Sequence, residues 1–170
     1  MKFTLTRLSR AVFALCPGIM GIFSSLSIGA AEIPNINEPG SHCVSWTKEF
    51  LDNPEKQCVE ACPQRQAKSF DNYDYINGLK SAFNSFEGLS DFITYTGRST
   101  IIGAPVELQA CNLRAVLQFW GDARFSQIMS KHSSETRRQV VNLIEYAGVS
   151  SEFREHFPRT YKLKDINKSP

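Results

Sequence analysis

Five cysteines and three histidines carry most of the reactive chemistry in this chain. Cys16 sits alone near the start, while Cys43, Cys58, Cys62 and Cys111 form an even set in the remainder. An even set in an exported chain reads as two disulfides, with three connectivities open. Cys58 and Cys62 fall four apart on an expected helix, so their side chains share one face. That arrangement suits separate distant partners, and we expect one of the two to join Cys43 and the other Cys111. His42, Cys43, Cys58 and Cys62 also make a conceivable metal set, but an oxidising compartment favours bridges over a metal. The Cys58–Cys62 spacing is one residue too long for a thioredoxin-type redox motif. We therefore expect neither a metal nor a cofactor.

Other chemistry finds little support. His42, His132 and His156 each lie among polar or loop residues and read as solvated side chains. No nucleophile elbow, phosphate-cradling glycine loop or haem attachment motif is present. An enzyme would need polar groups to converge in a cleft, for which Asp52, Glu60 and His42 near the disulfides are the candidates. No catalytic residue is assigned. A protein-binding role is the first reading and a small enzyme the alternative.

One segment has binding character. Between Thr94 and Ala104 lie Tyr95, Arg98, Ile101 and Ile102, and tyrosine and arginine are enriched at interface hot spots. Residues 96–103 read either as a buried connector or short strand, or as a projecting loop of the kind that carries binding residues on a rigid scaffold. On the second reading Tyr95 and Arg98 anchor a partner and Ile101 and Ile102 add apolar area. The partner is a protein, a second copy of the chain included.

The elements that must position these residues follow from periodicity and caps. Residues 1–31 have the form of a secretory signal peptide: Lys2, Arg7 and Arg10, then an apolar run from Ala11 to Ile28, then Gly29-Ala30-Ala31. A retained anchor is the rival reading, which Pro17 and the serines at 24, 25 and 27 disfavour. Lipidation at Cys16 is disfavoured by Leu15 and Pro17 beside it. Cleavage would place the mature protein in the periplasm or outside the cell. It would also lower the 19 basic residues to 16 against 17 acidic ones, which leaves no electrostatic footprint for nucleic acid. Residues 32–40 read as a linker, 41–158 as a helical domain and 159–170 as a basic, mobile tail.

Within the domain, a helix is expected from Ser41 to Leu51, and Asn53-Pro54 starts another that carries both Cys58 and Cys62 and ends before Pro63. Apolar spacing predicts a helix over 71–86 ended by Gly88, and a short one over 89–95 stopped by Gly97. Pro105 opens the longest helix, broken at Gly121-Asp122 and continued over 123–131. Ser133 or Ser134 caps a helix ending at Gly148, and Val149, Ser150 and Phe153 open a last one. The expected fold is all-α, a compact bundle of five to seven helices stapled by two disulfides. Its core is expected to comprise Trp46, Phe83, Phe86, Leu113, Val116, Leu117, Trp120, Val140 and Ile144.

The run Tyr73-Asp74-Tyr75-Ile76-Asn77-Gly78, together with the Pro105 helix carrying Asn112-Leu113-Arg114-Ala115-Val116-Leu117-Gln118-Phe119-Trp120, resembles a group of small exported helical proteins. That group includes the periplasmic immunity proteins that neutralise cell-wall amidases delivered by type VI secretion systems. The resemblance implies an inhibitor that blocks a partner's cleft. Where those proteins carry two cysteines, this chain has Asn72 and Gly103. The acid-stress periplasmic chaperones are similar in general build and form a further alternative.

Overall fold

A computed structural model describes residues 41–58, 62–148 and 150–165. The signal, the linker, Glu60 and the last five residues lie outside the described set. Nine helices and no strand occur among the described residues: α1 (Ser41–Asp52), α2 (Pro54–Gln57), α3 (Pro63–Asp71), α4 (Tyr75–Asn84), α5 (Phe86–Thr96), α6 (Pro105–Met129), α7 (Ser134–Tyr146), α8 (Ser150–His156) and α9 (Pro158–Lys162). Their starts follow side-chain chemistry. Asn53, Asp74, Ser85 and Ser133 accept the N–H of Lys56, Asn77, Gly88 and Thr136 respectively, which satisfies donors the helix itself cannot. Prolines stand in the opening turns of α2, α3, α6 and α9, where their missing N–H costs nothing.

The all-α fold with two bridges is the one expected, with more and shorter helices. One of the added helices is α3, and Gly88 does not end a helix. Ser85 ends α4 and caps α5, so Gly88 falls in the first turn of α5. A Cβ there would overlap the Ser81 carbonyl, so glycine permits α4 and α5 to cross closely. Phe86 consequently points outward, 50% exposed, against the Trp120 ring at 4.8 Å, and is not a core residue.

Helix α6 is the spine, touching α1, α3, α4, α5, α7 and α9. Leu113, Val116, Leu117, Val140 and Ile144 are fully buried as expected, and Trp46, Phe83 and Trp120 pack partly buried at the edge of that core. The expected break in α6 is at Gly121, with φ 72° and ψ 159°, a backbone that residues with a Cβ rarely adopt. The break turns Asp122 toward the C-terminal segment, where its carboxylate accepts the N–H groups of Arg159 (2.9 Å) and Thr160 (2.8 Å) at the start of α9. Residues 159–165 are therefore not a mobile tail. Thr160 and Leu163 are buried, held by a cap that a distant residue supplies.

The disulfide pairing differs from the expectation. Cys43 joins Cys111, tying α1 to α6 across 68 positions with Cα atoms 4.6 Å apart, and Cys58 joins Cys62. The pair does not share a helix. Helix α2 stops at Gln57, and Cys62 takes extended backbone (φ −115°, ψ 108°) before Pro63, the conformation that a following proline favours. The Cα atoms of Cys58 and Cys62 come within 4.3 Å as a result.

Arg114 is a cation buried in the interior. It is 3% exposed, lies over the rings of Phe153 (5.2 Å) and Phe157 (4.7 Å), and its Nε and Nη1 have no hydrogen-bond partner among the described residues. Burial lowers its pKa, partly opposed by Glu152. Two cation–π contacts contribute about 1–2 kcal/mol each, against unmet donors costing about 1–3 kcal/mol each. Arg114→Met, which keeps the apolar contacts with the two rings, is expected to leave the melting temperature unchanged or raise it. A fall of more than about 2 kcal/mol in unfolding free energy would contradict this reading.

Candidate functional site

The segment after α5 leaves the helix at Gly97 and reaches α6 at Pro105 without forming a strand. It is pinned by three side chains on two helices. From α3, Gln66 binds the Ile102 backbone in both directions: Ile102 N–H donates to Oε1 (2.8 Å) and Nε2 donates to the Ile102 carbonyl (3.1 Å). One turn further along α3, Asp71 accepts the Thr100 hydroxyl (2.6 Å), the Thr100 N–H (3.3 Å) and the Tyr95 hydroxyl (2.9 Å). From α6, the buried Gln109 donates to Ser99 Oγ (3.1 Å), which also accepts the Ile101 N–H (3.2 Å). These bonds give the loop side-chain substitutes for the backbone ladder it lacks.

The four candidate residues divide evenly. Tyr95 lies within α5 at 2% exposure, stacked on Tyr73 at 3.6 Å, and Ile101 is buried in the core. Both brace the loop from beneath and neither presents a surface to a partner. Arg98 and Ile102 are exposed, Ile102 by 66%. Sequence reasoning missed Gln66, Asp71 and Phe70. Phe70 is one turn beyond Gln66 on the same face of α3 and 61% exposed. An apolar ring left in solvent on the helix that holds the loop is the signal that would have marked it.

Below Arg98, a polar cleft of about 340 Å³ is lined by Asp71, Asn72, Tyr73, Tyr95 and Arg98. Burial on its own would raise the Asp71 carboxyl. The bonds from Thr100 and Tyr95, with the nearby Arg98 charge, outweigh it and hold the carboxyl below its ordinary value. Burial, with Asp91 and Asp74 nearby, pushes the Tyr73 hydroxyl up to about 12. A depressed carboxyl stabilises the fold above the ordinary carboxylate range and loses that contribution as pH falls through its folded value. Acidification below about pH 4 is expected to shift the Thr100 and Ile102 amide resonances together, and Asp71→Asn to abolish that shared transition. Gln66→Ala is expected to speed amide exchange at Ile102 by about 10-fold, the equivalent of one hydrogen bond.

Of the groups considered for catalysis, the two that are described do not converge. His42 and Asp52 stand at opposite ends of α1, and Asp52 pairs with Lys48 at the surface. His132 is not simply solvated. Its Nε2 is 3.2 Å from Ser90 Oγ and its Nδ1 3.4 Å from Thr94 Oγ1. Burial lowers its pKa against a smaller opposing effect of Asp91. Ser90 lies mid-helix in α5, where the neighbouring backbone N–H groups are committed to the helix, while His132 lies in the α6–α7 turn. The contact fastens the α6–α7 turn to α5.

The two disulfides point to an oxidising, non-cytoplasmic environment. No helix among the described residues is long and apolar enough to cross a membrane. Comparison of the chain with protein-family models, curated proteins and solved structures finds no match.

Proposed function

We propose that this chain is an exported protein-binding module that acts in the periplasm or outside the cell. In this reading it fills a partner's cleft with the loop from Arg98 to Ala104, as the inhibitory immunity proteins it resembles would. The observation that carries the reading is the reciprocal Gln66–Ile102 clamp with the Asp71 bonds beside it. A loop fixed before contact loses little entropy on binding, and this one exposes an arginine and an isoleucine. Phe70 extends the apolar area along α3.

The test is affinity for a partner captured by the full chain. Arg98→Ala combined with Ile102→Ala is expected to weaken binding about 30-fold or more, the size of a hot-spot loss, with an unchanged melting temperature. Unchanged affinity would remove the loop from the interface.

A further inference from the structure

His42 and Cys43 are consecutive in α1 yet face different surroundings. The His42 ring is exposed while Cys43 is fully buried. His42 Nε2 lies 3.4 Å from Cys43 Sγ, and with Cys111 Sγ the three donor atoms all fall within 4.8 Å of one another. Trp46, Ala110, Leu143 and Ala147 close the other side with apolar surface. One imidazole nitrogen and two thiolates are donors that suit a zinc-like cation. A tetrahedral cation with bonds of about 2.0–2.3 Å sets its ligand atoms roughly 3.5–3.8 Å apart. The histidine–cysteine separation already approaches that value. The two sulfurs must part and the His42 ring must settle between them, all within the 4.8 Å that already spans the three donors, and the packing of α1 on α6 would keep the sulfurs neighbours.

We infer that the Cys43–Cys111 bridge masks a three-donor cation site, His42 Nε2, Cys43 Sγ and Cys111 Sγ, which a dithiol reductant uncovers. The dithiol passes two electrons to the bridge, the S–S bond breaks, and the reductant closes its own disulfide. Its two thiol protons go to Cys43 and Cys111. A divalent cation then displaces both protons and binds the thiolates and the imidazole, with a fourth position on the exposed His42 side open to water. Bridge and cation are mutually exclusive occupants of one place, so the site reports the redox state of its surroundings.

The test uses the full-length protein and its His42→Ala variant, each reduced with a dithiol, freed of it under nitrogen, and titrated with Zn²⁺ against a chromophoric chelator. Cys16, Cys58 and Cys62 are common to both proteins, so zinc they take cancels in the comparison. The reduced wild type is expected to bind zinc at least tenfold more tightly than reduced His42→Ala, and the oxidised protein to show no such difference. Zinc is also expected to slow alkylation of Cys43 and Cys111 at least tenfold in the wild type and not in the variant, read by peptide mass spectrometry. Equal zinc affinity of the two reduced proteins, or protection confined to Cys58 and Cys62, would overturn the inference.

Discussion

Replacing Cys43 and Cys111 together by alanine is expected to lower the unfolding free energy by about 4 kcal/mol, against about 2 kcal/mol for the same change at Cys58 and Cys62. The difference comes from the unfolded chain. A bridge spanning 68 positions removes far more conformational freedom than one spanning four. The long bridge also ties the first described helix to the spine of the bundle, so its loss leaves α1 held on α6 by packing alone. Urea denaturation of the two double variants measures both values. A larger loss from the Cys58–Cys62 pair would contradict the pairing or its role.

Leu117→Ala carries the second large effect, about 2–5 kcal/mol. Leu117 is fully buried in the main cluster on α6, packed with residues of several other helices, so truncation leaves a cavity that cannot easily collapse. Phe119, two positions on, is exposed on another face, and its replacement by alanine is expected to cost under about 1 kcal/mol. A thermal melt that Leu117→Ala leaves in place would take α6 out of the core.

What could be read from the sequence was local. The apolar stripe of the long helix, its break at Gly121, a serine cap at 133 or 134 and the helix class of the described residues all depend on neighbours within a few residues, and the structure has each of them, with Ser133 as the cap. The disulfide pairing was missed because Cys58 and Cys62 were expected on one helix, whereas α2 stops at Gln57 and Cys62 takes the extended backbone favoured before Pro63. The folded tail was missed because its cap, Asp122, is 37 residues away in sequence from the N–H it accepts. Composition marked Arg159 and Lys162 as solvated, which they are, while Thr160 and Leu163 between and beside them go inward.

The candidate loop shows the same division. Its position between Tyr95 and Pro105 was legible from residue types, as were Arg98 and Ile102 on its surface. Tyr95 and Ile101 have the same composition cues but opposite placement, because Asp71 and the Tyr73 ring draw Tyr95 inward. Gln66 and Asp71, which hold the loop, lie 36 and 29 residues from the backbone they bind. No spacing rule connects them.

Amide hydrogen exchange of the full chain, free and bound to its captured protein partner, is the most direct measurement of the binding reading. New protection is expected over residues 98–104 and at the α3 turn from Gln66 to Asp71, with the remaining helices unchanged. Protection gained instead around Val44, Leu51 and Phe119 in the groove between α1 and α6, with the loop unaltered, would contradict it.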